Sequence, residues 1–150
     1  MNILKAAIND LPAILALQRL AYQSEALLHD DFTIPPLTQT LEGITADFHK
    51  GVILKAVAPD DEIIGSIRGY LAENTLHIGK LIVHPSFQDQ GIGTALLLDM
   101  ESLHPGVRYE LFTSDKSLKN LYLYQKHGYI EFKRGPLNVN SELIFLEKCN

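Results

Sequence analysis

Residues 81–98, Leu-Ile-Val-His-Pro-Ser-Phe-Gln-Asp-Gln-Gly-Ile-Gly-Thr-Ala-Leu-Leu-Leu, decide the reading of the whole chain. The apolar run Leu81-Ile82-Val83 reads as a buried strand that stops at His84-Pro85. A short polar loop carries Gln88, Asp89, Gln90, Gly91, Ile92 and Gly93, and an apolar helix begins at once. Strand, glycine-bearing loop and helix in that order make an anion cradle. The first N–H groups of the helix have no partner inside it, and the helix dipole adds roughly half a positive charge at the same place. Gly91 and Gly93 remove the Cβ atoms that would hold an anion away from the backbone. Thr94 stands where a nucleotide-hydrolase loop has its lysine, and the third glycine of the dinucleotide fingerprint is missing. Those two phosphate sites are excluded, and a turn that only packs helix on strand is the bland alternative.

Working outward, Thr75 to Val83 is the strand that feeds this loop. It is the last of a meander with Val52–Ala58 and Ile63–Leu71, joined by turns at Pro59–Glu62 and Glu73-Asn74. Before the meander, Ile3 to Ile8 reads as a first strand. Asn9 or Asp10 then caps a helix that runs to about Ser24 with Pro12 in its first turn. Glu25 to Pro36 reads as a structured loop. Thr38 or Thr40 starts a second helix with a buried stripe of Leu37, Leu41, Ile44 and Phe48, ended by Gly51. After the cradle, a helix from Gly91 to about Leu103 is broken by Pro105-Gly106, and its leucines 97 and 98 imply cover on more than one side. The helical crossover makes Tyr109–Thr113 parallel to Thr75–Val83. Ser114 or Asp115 precedes a last helix, Ser117 to His127, stopped by Gly128. Tyr129–Lys133 and Leu143–Lys148 finish as strands around a Gly135-Pro136 loop and offer an exposed β edge for a homodimer. The order β–α–α–β–β–β–α–β–α–β–β is an α+β fold with helices on both faces of the sheet.

The 150 residues are enough for one domain spanning the whole chain. Hydrophobic content of 46% with 21% charged residues fits a globular protein. A net charge of −5 without any basic run argues against a nucleic-acid partner. No apolar run approaches membrane-spanning length, and the N-terminus lacks a signal-peptide pattern, so a cytoplasmic protein is expected. Cys149 is the only cysteine and lies in a poor setting for a nucleophile. The six histidines are scattered without metal-ligand spacing, and no nucleophile elbow occurs, so no metal is expected.

The stretch Gln88-x-x-Gly91-x-Gly93, after a strand ending Val83-His84-Pro85, resembles the Arg/Gln-x-x-Gly-x-Gly/Ala motif of the GNAT superfamily of acetyl-CoA-dependent N-acetyltransferases. Leu121 to Tyr129, Leu-Tyr-Leu-Tyr-Gln-Lys-His-Gly-Tyr, is similar to that superfamily's late Leu-Tyr-x-Lys-x-Gly-Phe/Tyr signature, in the same order along the chain. The resemblance implies the same fold, a mixed and mostly antiparallel sheet, and acetyl-CoA as cosubstrate with an amine as acceptor. It implies that Gln88 to Thr94 hold the pyrophosphate and that the backbone of Leu81, Ile82 and Val83 pairs with the pantetheine arm. Tyr124 is implied as the acid that protonates the leaving thiolate. The family's asparagine stands seven residues before that tyrosine, where this chain has Ser117; Asn120, on the face of Tyr124, is the other candidate. Tyr122 reads as core. Asp89 is a misfit beside a phosphate and is expected to point to water. Lys80 and Lys116 read as exposed, solvated surface lysines, with a place near the phosphates as the alternative.

An ammonium acceptor must lose a proton before it attacks, so a carboxylate or histidine is needed nearby. Glu25, His29, Asp30 and Asp31 are candidates, as is His77, with Glu25 and His77 leading. Asp30-Asp31 points to a cationic small molecule such as a polyamine, aminoglycoside or amino-acid amine, and a peptide amine is equally compatible. The rival readings are a non-catalytic module that senses acyl-CoA, and an interaction domain without coenzyme.

Overall fold

The computed structural model describes residues 1–23, 26–27 and 35–149. Its strands are β1 (Asn2–Lys5), β2 (Val52–Val57), β3 (Ile63–Ala72), β4 (Thr75–Val83), β5 (Arg108–Ser114), β6 (Ile130–Asn138) and β7 (Ser141–Lys148). Its helices among these residues are α1 (Leu11–Ala21), α2 (Pro35–Thr38), α3 (Leu41–Lys50), α4 (Ile92–Ser102) and α5 (Leu118–Lys126). The strands form one seven-stranded sheet in the order β1-β2-β3-β4-β5-β7-β6. All neighbours are antiparallel except β4 and β5. This is the expected α+β architecture with its single parallel crossover.

Each face of the sheet has its own core. On one, Leu11, Ile14 and Leu15 of α1 and Ile44 of α3 pack on Ile53 of β2. On the other, Leu96, Leu97 and Met100 of α4 and Tyr124 of α5 pack with Ile67, Leu76, Ile78, Leu111 and Leu146. Strand alternation explains the division. Ile78 and Leu76 face α4, so His77 between them faces the α1 side.

Several local expectations change. The first strand ends at Lys5 because the Ala7 N–H donates to Asp10 Oδ2 (2.8 Å), drawing Ile8–Asp10 into a 3-10 turn that leads into α1. Pro35 and Pro36, expected in a loop, belong to the short helix α2, where prolines suit a first turn. Thr40, not Thr38, caps α3 by accepting from the Gly43 N–H (3.1 Å). Leu41 is left 48% exposed, at the first-turn end of the stripe. Leu97 is buried, whereas Leu98 faces solvent. Gly135 and Pro136 lie inside β6, and the turn falls at Val139-Asn140. A proline is tolerated there because β6 is an edge strand and has no second neighbour to bond its missing N–H. Tyr122 is 69% exposed rather than core, being two residues, or about 200°, around the helix from Tyr124.

Candidate active site

The site begins where β4 and β5 part. Their parallel ladder pairs Thr75 with Arg108, Leu76 with Tyr109 and His77 with Glu110, and then stops. Beyond His77, β4 keeps its bonds to β3 but turns a free edge toward a gap. A cleft of about 620 Å³ occupies this gap. Its walls include Arg68, Tyr70, His77, Gly79, Lys80, Leu81, Glu110 and Thr113, together with Asn120 and Tyr124 of α5. Side chains from both faces of the sheet therefore meet one space.

A bulge shapes the β4 wall. Ser66 pairs with Ile82 but Arg68 pairs with Gly79, so β4 holds one residue more than β3 across this stretch. The extra residue is Lys80, in the left-handed region at φ 52°. It inverts the alternation. Gly79 shares a face with Arg68, its cross-strand partner, while Leu81 and Val83 lie near Gly93 of α4 on the other. Lys80 is consequently half-buried in the cleft wall, not on an exposed surface. Burial foremost, and the nearby Arg68 charge next, push its ammonium below the usual lysine range. Lys116 is also half-buried.

At the far end of β4 stands the cradle. His84 Nδ1 accepts from the Ser86 N–H (3.0 Å) and shapes the 3-10 turn Pro85–Phe87. Gly91, at φ 81°, is the residue before α4, and its C=O accepts the first intrahelical bond from the Ala95 N–H (3.0 Å). The amides of Ile92, Gly93 and Thr94 thus precede the ladder of α4 and are open to an anion. A Cβ built on Gly91 would meet nothing within 4 Å, so the space above the loop is free. These features fit a diphosphate. Asp89 points outward, as expected, and its carboxylate lies 3.2 Å from Lys119 Nζ.

Tyr124 is held by the end of its own helix. Gly128, at φ 94°, closes α5 with the Tyr129 N–H on Tyr124 C=O (3.0 Å) and the Gly128 N–H on Gln125 C=O (3.1 Å). This double bond pattern is the Schellman cap, and the Tyr124 and Tyr129 rings pack 6.0 Å apart across it. Tyr129 in turn donates its hydroxyl to Glu101 Oε2 (2.7 Å), whose other oxygen accepts from Lys148 Nζ (3.0 Å). Burial and this carboxylate raise the Tyr129 phenol far above the usual tyrosine range, so it stays a donor. Because valine strains badly at positive φ, Gly128→Val is expected to destabilise the fold by about 1–2 kcal/mol, read as a lower denaturant midpoint with an unchanged m-value.

His77 lies across the cleft on the α1 side. It stacks on Tyr70 (centroids 4.8 Å apart), and its Nδ1 is 3.8 Å from Glu110 Oε2. Glu110 Oε1 and Glu147 are both held by Arg108 at 2.7 Å. Of the two candidates near the start of α5, Asn120 lines the cleft and its Nδ2 donates to Thr113 Oγ1 (3.4 Å), whereas Ser117 is buried before the helix. Glu25, His29, Asp30 and Asp31 lie outside the described residues. Sequence reading did not single out Arg68, which is 7% exposed and bonded through its guanidinium to Gln18, Gln39 and Asp47. An arginine alternating with apolar residues in a strand reads as a solvated position; only the facing Gln18 on α1 marks it as buried.

The profile of the Acetyltransferase (GNAT) domain matches residues 51–131, which contain the meander, the cradle and α5. The chain belongs to this family of acetyl-CoA-dependent acyltransferases. No curated protein matches its sequence. Among solved structures it is similar to the PaiA N-acetyltransferase from Thermoplasma acidophilum in complex with coenzyme A. That match has 18% identity and a TM-score of 0.81 over 99% of this chain and 98% of the other. A GNAT-family acetyltransferase from Streptococcus agalactiae gives 17% identity and a TM-score of 0.82, covering 99% and 95%. The ribosomal-protein-S18-alanine N-acetyltransferase from Escherichia coli gives 15% and 0.79, covering 99% and 92%. At these identities the likeness is one of fold. No described helix is long and apolar enough to cross a membrane, and no group of metal-binding side chains occurs among the described residues.

Proposed function

We propose that the protein is an N-acetyltransferase that moves acetyl from acetyl-CoA directly to a primary amine of a small molecule or peptide, without an acyl-enzyme. The observation that carries this reading is that His77 and Tyr124 come from opposite faces of the sheet and line one cleft at the β4–β5 gap. A base on one side and an acid on the other is what transfer between two bound substrates needs.

In this reading the coenzyme diphosphate sits on the amides of Ile92, Gly93 and Thr94, in the loop built by Gln88, Asp89, Gln90 and Gly91. The free edge of Leu81, Ile82 and Val83 bonds the pantetheine arm as an added strand would. Asn120 supplies a further donor, and Ser117 sets the start of its helix. His77, backed by Glu110, takes the proton from the ammonium acceptor. The amine lone pair attacks the thioester carbon, and a β4 backbone N–H holds the oxyanion. The tetrahedral adduct collapses with cleavage of the C–S bond as Tyr124 gives its phenolic proton to the departing sulfur. The remaining surplus proton on nitrogen passes to the Tyr124 phenolate and restores the phenol, while His77 releases its own proton to solvent. The products are the acetylated amine and free coenzyme thiol. We place this chemistry within one domain in the cytoplasm.

Calorimetric titration of acetyl-CoA, beside a Gly91→Glu variant, tests the coenzyme half. Micromolar binding that weakens at least 100-fold in the variant is expected, since the new carboxylate enters the phosphate space and glutamate is strained at φ 81°. Absence of binding at millimolar coenzyme by folded protein overturns the reading. Binding without thiol release for any amine would leave a sensor of acyl-CoA in place of an enzyme.

A further inference from the structure

The wall of the cleft formed by β3, β4 and α3 carries charge that acetyl transfer does not use. Among the described residues Arg68, Lys80 and Lys50 line it beside the carboxylate of Asp47, and Glu110 lines the same cleft from β5. The Asp47 carboxylate is already engaged by Arg68 Nη1 (2.9 Å) and Gln39 Nε2 (3.0 Å). Lys50 has its ammonium 3.8 Å above the Tyr70 ring. Lys80 has no hydrogen-bond or ion-pair partner among the described residues, although burial makes a bare cation costly. Arg68 Nε is likewise buried and without a partner. Between them lies Gly79, directly opposite Arg68, where a Cβ would meet nothing within 4 Å. The bulge that places Lys80 here holds a non-glycine residue at positive φ, a conformation that persists only when its surroundings enforce it.

Two donors in want of an acceptor, an open floor and a surplus of positive charge define a seat for a compact oxyanion. We infer that the amine acceptor also carries a carboxylate, seated over Gly79 between Lys80 and Arg68, which makes the substrate class amino acids and related amino-carboxylates. This inference rests on the transferase reading above. It selects one member of the acceptor classes left open by sequence and disfavours polyamines, whose second cation would face Lys80 and Lys50.

The test compares acceptors in matched pairs by release of coenzyme thiol: L-phenylalanine with phenethylamine, and L-leucine with isopentylamine, beside spermidine and a peptide N-terminus. The carboxylate-bearing member of each pair is expected to show kcat/KM about 10–100-fold higher. Lys80→Gln should collapse that ratio toward one, and Lys80→Arg should keep most of it. A wild-type ratio at or below one overturns the inference, as does turnover confined to spermidine or peptide, and so does a Lys80→Gln loss shared equally by both members. Should Lys80→Gln fail to fold, the wild-type ratio alone decides. Thiol release from none of these amines, with acetyl-CoA bound, sinks the transferase reading itself, an outcome distinct from release with the wrong preference.

Discussion

Replacing Tyr124 with phenylalanine is expected to lower kcat by roughly 10²–10⁴-fold, the usual scale of lost acid catalysis, with the affinity for acetyl-CoA unchanged. The ring is 6% exposed and packs on Tyr129, and phenylalanine keeps that packing, so the loss is confined to the phenolic proton. Pre-steady-state mixing with an amine acceptor checks it. The acetyl-transfer step itself must slow. A second readout separates chemistry from structure: acyl donors whose thiol leaves as a stabilised anion need less protonation and should recover much of the rate. An unchanged rate assigns the proton to another donor.

The largest effect on stability is expected from Glu101→Leu. Glu101 and Tyr129 are both buried, and the carboxylate is the acceptor for the Tyr129 hydroxyl and for Lys148 Nζ. Leucine leaves a buried O–H without an acceptor and a half-buried ammonium without its counter-charge. Each orphaned donor costs about 1–3 kcal/mol, so a total near 3 kcal/mol is expected, or a fall in Tm of roughly 6–12 °C for a chain of this length. Adding Tyr129→Phe removes one orphan and should recover about 1 kcal/mol. A double-mutant cycle with no coupling would show that the hydroxyl finds another acceptor.

Much of this was open to reading in the chain. Hydrophobic alternation and tight turns marked the meander, and an apolar helix between two strands required the parallel crossover of β4 and β5. The Gln88 to Gly93 motif and the Leu121 to Tyr129 signature identified the family. What escaped lay where tertiary context overrides local pattern. Lys80 read as an exposed lysine because the bulge that turns it into the cleft wall, signalled only by the isolated Gly79 before it, is set by the register of β3 against β4. Arg68 looked solvated because its desolvation is offset by glutamines and an aspartate distant in sequence. Gly135-Pro136 reads as a turn until the sheet order shows β6 at an edge. The choice between Ser117 and Asn120 needed the position of α5 against the cleft, which spacing alone does not give.

The short ladder between β4 and β5 also has a mechanical side. The two halves of the sheet are sewn together by the ladder at Thr75–His77 and Arg108–Glu110, where Arg108 Nη1 reaches Thr75 Oγ1 (3.5 Å) and His77 Nδ1 lies 3.8 Å from Glu110 Oε2. From that seam to Val83 the strand forms a lever of roughly 20 Å, at about 3.3 Å per residue. A pivot of about 5° at the seam moves the lever's tip by roughly 1.7 Å, enough to change a rate that depends on ångström-scale alignment. A seam of three residue pairs is therefore the natural hinge of a jaw whose tip leads into the glycine loop.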